Sequence, residues 1–141
     1  MVEVGQVLSL RIRLNNQGII STTKHPYLIV DVAESDNIIE IAQLDSIAGK
    51  EYKVAMKSNK AIFYDNPTET VIDRDSYIQM DNRFLIENFK ELEQYRRQPD
   101  KLSPQKLSDV LQSYREYHHT HAIDEDKIVY MDQNEILGLN N

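Results

Sequence analysis

The sequence contains no cysteine, which removes several kinds of chemistry from consideration. Without thiols the chain forms no disulfide, no thiolate zinc site and no cysteine nucleophile. It also lacks a run of about eighteen apolar residues, and it lacks an N-terminal stretch with a basic start, an apolar centre and a small-residue cleavage site. We therefore expect neither secretion nor membrane insertion, and we expect a cytoplasmic location.

Positive charge is scarce, because 16 Lys and Arg residues stand against 23 Asp and Glu residues and leave a net charge of −7. This balance works against nonspecific binding to long nucleic acid, since neutralised phosphates supply most of that affinity. It leaves room for a small basic cleft, and it also suits a basic partner segment. A length of 141 residues, with 40% hydrophobic and 28% charged residues, predicts one domain, residues 1–122, and a short acidic tail, residues 123–141.

Two runs of β-forming residues, 26–32 and 38–44, flank a turn-forming cluster at residues 34–37. This pattern predicts an antiparallel hairpin of central, largely buried strands. In such a pair the start of one strand lies beside the end of the next, so Lys24 and His25 should meet Asp45 and Ser46.

A cation, an imidazole, a carboxylate and a hydroxyl would then share one edge of the sheet. Two interpretations of Lys24, His25, Asp45 and Ser46 remain open. They form a site for proton transfer and anion binding, or they are solvated strand ends in which Asp45 accepts turn hydrogen bonds.

The remaining strands are predicted to be short. Residues 6–14 alternate apolar and polar side chains and place Arg11 and Arg13 on the wet face, either as solvated edge residues or as a phosphate-facing pair. Residues 52–56 form another alternating piece, and turn signals recur up to residue 80. Several short strands with close turns favour a small barrel or rolled sheet.

The clearest helix covers residues 104–118. Ser103 suits the N-cap, Pro104 suits the first helical position, and one apolar stripe is formed by Leu107, Val110, Leu111 and Tyr114. The tail predicts a strand at residues 128–131 and a capped turn that begins at Asp132. His118, His119 and His121 suggest a metal site, but we favour their placement at a helix C-terminus and assign no metal ligand.

Several short motifs occur in the order typical of one family. These are residues 5–10 (GQVLSL), Pro26 followed by 28–30 (LIV), residues 75–81 (DSYIQMD), residues 85–86 (LI) and residues 101–103 (KLS) before the helix. Over residues 4–117 the chain resembles the PemK/MazF toxins of bacterial toxin–antitoxin pairs. The resemblance implies the α+β class, as a small SH3-like, PemK-type β-barrel with a C-terminal helix packed on it.

The resemblance also implies an activity and partners. It implies a metal-independent endoribonuclease that cleaves single-stranded RNA without a cofactor, a homodimer, and an antitoxin protein as partner. The alternative is a non-catalytic module of the same fold that binds a protein or a nucleic acid.

The chain departs from the family at two positions. His25 stands where the family carries a catalytic Arg before the strand-opening Pro, and Asp45, followed by Ser46, stands where it carries a catalytic Thr. If activity is retained, His25 would exchange protons, Lys24 would hold the phosphate, and Asp45 or Ser46 would orient the reacting groups. Arg11 and Arg13 would join Lys24 in binding RNA.

Overall fold

Seven β-strands form a single sheet in this computed structural model, which describes residues 1–65 and 67–141. The strands are β1 (Val7–Leu10), β2 (His25–Ala33), β3 (Ile38–Ser46), β4 (Asn59–Ile62), β5 (Ser76–Gln79), β6 (Arg83–Glu87) and β7 (Ile128–Met131). The described part also contains helices α1 (Pro104–Thr120) and α2 (Gln133–Asn140), and the 3₁₀ turns Glu51–Ala55, Lys90–Tyr95 and Glu125–Lys127. The protein is therefore a small α+β protein.

The predicted hairpin of β2 and β3 is confirmed. The two strands pair in antiparallel register from Tyr27 opposite Gln43 to Ala33 opposite Ile38, with an irregularity between Ile29 and Asp31. Asn37 closes the turn with a φ of 55°, a left-handed conformation that Asn adopts more readily than most residues. The start of β2 consequently lies beside the end of β3.

The sheet is not closed into a barrel, so that part of the fold prediction was wrong. One edge of β3 pairs with β2, and the other edge pairs with β6 through its first half and with β5 through its last residues. β1 lies outside β2, β4 lies outside β5, and β7 lies parallel to β6 while the other ladders are antiparallel. Among the described strands, β1, β4 and β7 each pair with only one other strand, so no ladder joins the ends.

Both faces of the hairpin are buried, which explains its nearly continuous apolar sequence. Tyr27 and Ile29 belong to a cluster that includes residues of β1, β6 and the turn Lys90–Tyr95. Leu28 and Val30 belong to a second cluster beneath α1. Because successive side chains of a strand alternate in direction, β2 supplies both clusters.

Residues 52–56, predicted as a strand, instead lie mostly in the 3₁₀ turn Glu51–Ala55. No side chain of this turn is buried. The alternating pattern of residues 52–56 therefore does not indicate a strand that faces the core. The segment is a surface connection between β3 and β4.

The segment after residue 122 packs into the same core as the first three strands. The predicted strand at residues 128–131 is confirmed as β7, and Val129, Met131 and Ile136 are fully buried in the cluster that contains Tyr27. The Asp132 side chain accepts a hydrogen bond of 2.9 Å from the Glu135 backbone N–H. This cap begins α2, which is longer than the short turn that the sequence predicted.

The predicted helix is confirmed as α1, with Pro104 in its first turn, although the Ser103 side chain makes no capping hydrogen bond. Val110 and Tyr114 are buried against the sheet, and Leu107 and Leu111 are half-buried. The Tyr114 hydroxyl donates to the carboxylate of Glu40 on β3, and Arg83 Nε lies 3.4 Å from the other oxygen of that carboxylate. A tyrosine and an arginine thus satisfy a nearly buried carboxylate and fix α1 to the sheet.

We expect Tyr114→Phe to destabilise the protein by about 1–3 kcal/mol, because the variant leaves the buried Glu40 carboxylate without its hydroxyl donor. Urea unfolding followed by circular dichroism measures this difference. Tyr117→Phe on the same helix is the matched control, and we expect it to change the free energy of unfolding by less than about 0.5 kcal/mol. Equal effects of the two substitutions would contradict the anchoring role of Tyr114.

Candidate functional site

Lys24, Asp45 and Ser46 meet at the edge where β2 begins and β3 ends. They line a cavity of about 320 Å³, which we call the strand-end cleft. Three cationic and two acidic side chains line it, together with hydroxyls: Lys24, Arg74, Arg97, Asp45, Asp73, Ser9, Ser46 and Ser76. Three of the four residues predicted at this edge are therefore brought together.

His25 does not line the strand-end cleft. Pro26 does line it, and neighbouring side chains of a strand point to opposite faces. His25 instead lies opposite Leu10 in the β1–β2 ladder, and its Nε2 lies 3.4 Å from the Thr23 hydroxyl. The imidazole is therefore turned away from the cations of the cleft.

The Asp45 carboxylate is held by three polar side chains. Lys50 Nζ lies 3.2 Å from one oxygen, and the Tyr77 hydroxyl and Gln79 Nε2 lie 3.4 and 3.5 Å from the other. The hydrogen bond to Asp45 raises the pKa of Lys50, and burial together with the Asp45 charge raises the pKa of Tyr77. These partners hold the Asp45 carboxylate on the face of β3 that Tyr27 shares, opposite to the face of Leu44 and Ser46. Asp45 thus borders the cleft while its carboxylate is turned to the other face.

Burial also raises the pKa of Tyr27, and the Asp45 charge adds to this effect. The Tyr27 hydroxyl is buried without a hydrogen-bond partner within the described residues. A buried hydroxyl without a partner is unfavourable in a protein interior. The Tyr27 hydroxyl is thus an unsatisfied polar group in the interior, close enough to Asp45 to feel its charge.

Arg74 and Arg97 are the cations that sequence reasoning missed. Arg74 donates two hydrogen bonds to Asp73, of 2.8 and 3.1 Å, and both side chains are mostly exposed. The Arg74 hydrogen bonds lower the pKa of Asp73, and the Arg97 charge contributes to that shift. The Arg97 backbone N–H bonds to the Val7 carbonyl at 2.9 Å, which brings this residue to the cleft.

Arg11 and Arg13 lie outside the cleft and contact the C-terminal segment. Arg11 Nε donates to the Ser21 carbonyl at 3.0 Å, and the Arg11 backbone N–H donates to the Asn140 side chain at 2.8 Å. Arg13 Nε lies 2.8 Å from the Glu135 carboxylate, whose hydrogen bond raises the pKa of Arg13. These arginines help to hold α2 against the sheet.

The histidines lie at the end of α1, beside a second cavity of about 570 Å³ that Glu40 and Arg83 also line. His118 Nε2 lies 2.8 Å from the Met80 carbonyl, and the His121 ring stacks on Tyr117 at a centroid distance of 4.2 Å. In residues 1–65 and 67–141 no group of three or more His, Asp or Glu side chains is arranged to hold a metal ion. The histidines instead make packing and hydrogen-bond contacts.

The chain matches no protein-family model, no curated protein and no solved structure. Within the described residues, no helix combines the length and the apolar character needed to cross a membrane.

We expect His118 to make stability dependent on pH, because burial lowers its pKa. The unfolded chain takes up the proton first as the pH falls below about 6.5, so the stability contributed above that pH is lost as the pH falls through the lowered folded-state pKa. Thermal unfolding at pH 7.5 and 5.5 should show a smaller loss on acidification in His118→Gln than in the natural sequence. In the control His119→Gln we expect the full loss, and an unchanged loss in His118→Gln would contradict this role.

Proposed function

We propose that the strand-end cleft binds single-stranded RNA and cleaves its phosphodiester bond without a metal ion, as the resemblance to PemK/MazF toxins implies. The observation that supports this most is the concentration of Lys24, Arg74 and Arg97 in one cleft of a chain with a net charge of −7. The Asp73 carboxylate and several hydroxyls lie among these cations. This combination suits a phosphate that must be held and attacked.

The proposed reaction is an internal transfer. The 2′-hydroxyl oxygen forms a bond to phosphorus, its proton passes to a base, and the bond to the 5′-oxygen breaks as that oxygen takes up a proton. The products are a 2′,3′-cyclic phosphate and a free 5′-hydroxyl. The step requires a base, an acid and positive charge on the phosphorane oxygens.

The residues of the cleft provide groups for these tasks. Lys24, Arg74 and Arg97 would stabilise the phosphorane, with an arginine favoured for paired contacts to phosphate oxygens. Asp73 would accept the 2′-hydroxyl proton, and Ser46 would orient that hydroxyl. The His25 ring and the Asp45 carboxylate lie on the opposite face, so their proposed roles in proton exchange and orientation require the RNA to reach that face around the strand ends.

A second function remains open, in which the cleft binds without chemistry. Asp45 is already paired with Lys50, Asp73 is paired with Arg74, and His25 replaces the Arg that the resembled family uses. Under this proposal the small α+β fold is a PemK-type module that binds nucleic acid or a protein segment. Retained RNA binding without cleavage would favour it.

The proposed partners follow from the resemblance. We propose that the protein forms a homodimer, that an antitoxin protein occupies the strand-end cleft, and that the protein acts in the bacterial cytoplasm. An antitoxin segment rich in acidic side chains would match the three cations of the cleft by charge.

Incubation of the purified protein with mixed-sequence single-stranded RNA in EDTA tests the proposal. We expect cleavage, and we expect Lys24→Ala and Arg74→Ala each to lower the rate by about a hundredfold or more, because each removes positive charge from the transition state. Product analysis should show 2′,3′-cyclic phosphate ends.

Arg115→Ala is the matched control, because it removes the same charge from an exposed residue outside the cleft. We expect this variant to cleave at the natural rate. Cleavage that continues at the natural rate in Lys24→Ala and Arg74→Ala would overturn the assignment of the cleft.

A further inference from the structure

The connection between β3 and β4 carries a charge opposite to that of the chain. Residues 50–60 contain four lysines, Lys50, Lys53, Lys57 and Lys60, and one acidic residue, Glu51, whereas the whole chain has a net charge of −7. Local positive charge on an acidic protein attracts an anionic partner to one place. The segment is therefore a candidate contact for nucleic acid.

Two apolar side chains of this basic segment face solvent. Tyr52 is 68% exposed and Met56 is 45% exposed, and the turn Glu51–Ala55 contributes nothing to the core. Lys53 Nζ lies 5.5 Å from the centroid of the Tyr52 ring. An exposed aromatic ring beside a lysine is the combination with which proteins hold unpaired bases and the adjoining phosphates.

The segment follows directly on the strand-end cleft in the chain. β3 ends at Ser46, which lines the cleft, and the segment begins four residues later at Lys50. Lys50 Nζ lies 3.2 Å from the carboxylate of Asp45, on the other face of β3. Lys60 forms an ion pair with Asp109 at 3.1 Å, so we assign it no contact with RNA phosphates. Lys53 and Lys57 make no ion pair within the described chain, so their ammonium groups are available to bind phosphates.

We infer that Tyr52 is a stacking subsite for a base of single-stranded RNA that extends from the strand-end cleft, with Lys53 and Lys57 beside the adjacent phosphates. The inference rests on the proposed function for the identity of the ligand as RNA. A stacked ring accepts any base, so this subsite adds affinity and sets the direction of the strand without selecting sequence. Selection of the RNA sequence would depend on the strand-end cleft.

The chain contains no tryptophan, so Tyr52→Trp creates a single fluorescent reporter at the proposed subsite. The probe is a 2′-O-methyl oligoribonucleotide of mixed sequence, about twelve nucleotides long, which spans the usual site size and lacks the nucleophilic hydroxyl. We expect saturable quenching of the Trp fluorescence in Tyr52→Trp. Tyr130→Trp, at an exposed tyrosine of β7, is the control and should show no saturable quenching.

The affinities of Tyr52 variants for the same probe distinguish the contribution of the aromatic ring from that of its hydroxyl. We expect Tyr52→Ala to weaken binding by about tenfold and Tyr52→Phe to bind like the natural sequence, since stacking needs only the ring. Replacing Lys53 and Lys57 by Gln should make binding less dependent on salt, because fewer counterions are released. Tyr52 is exposed, so the folding of each variant can be verified by its unchanged melting temperature.

The outcomes distinguish this inference from the proposed cleavage. If the protein does not cleave RNA but Tyr52→Ala weakens oligonucleotide binding, the stacking subsite stands and the nuclease proposal fails. If RNA is cleaved while Tyr52→Ala binds the probe like the natural sequence and Tyr52→Trp is not quenched, the subsite is wrong and the cleft stands. Absence of any oligonucleotide binding overturns both.

Discussion

The sheet depends on β3, because one edge of this strand serves two partners. Its first residues pair with β6 and its last residues pair with β5, while the opposite edge pairs with β2. A shift of one residue in these ladders would turn every side chain of β3 to the other face. The same register therefore places Glu40 beneath α1 and Ser46 at the strand-end cleft.

The two carboxylates of β3, Glu40 and Asp45, differ in how much their contacts contribute to the stability of the fold. The Glu40 side chain is only 11% exposed and is matched by Tyr114 and Arg83, so the loss of the Tyr114 hydroxyl costs about 1–3 kcal/mol. The Asp45 side chain is 24% exposed and pairs with a half-exposed lysine, a contact worth at most about 1 kcal/mol. Asp45 can therefore exchange its partner at small cost, whereas Glu40 cannot.

The hairpin, α1 and β7 could be predicted because each is encoded by a local pattern of apolar residues, turn formers and caps. The open sheet could not, since it depends on which strands share the second edge of β3. Local geometry predicted the meeting of Lys24 with Asp45 and Ser46, but Arg74 and Arg97 come from distant segments without a sequence signal. The alternation of strand residues also separates Lys24 and Ser46 on one face from His25 and Asp45 on the other.

Nuclear magnetic resonance tests the central claim most directly, because each backbone amide of this small protein reports its own surroundings. A 2′-O-methyl oligoribonucleotide is titrated into the ¹⁵N-labelled protein. The strand-end cleft account predicts the largest saturable shift changes at the amides of Ser9, Lys24, Ser46, Arg74 and Arg97. Largest changes at Arg83, Arg115 and His118, around the cavity beneath α1, or no saturable changes at all, would contradict it.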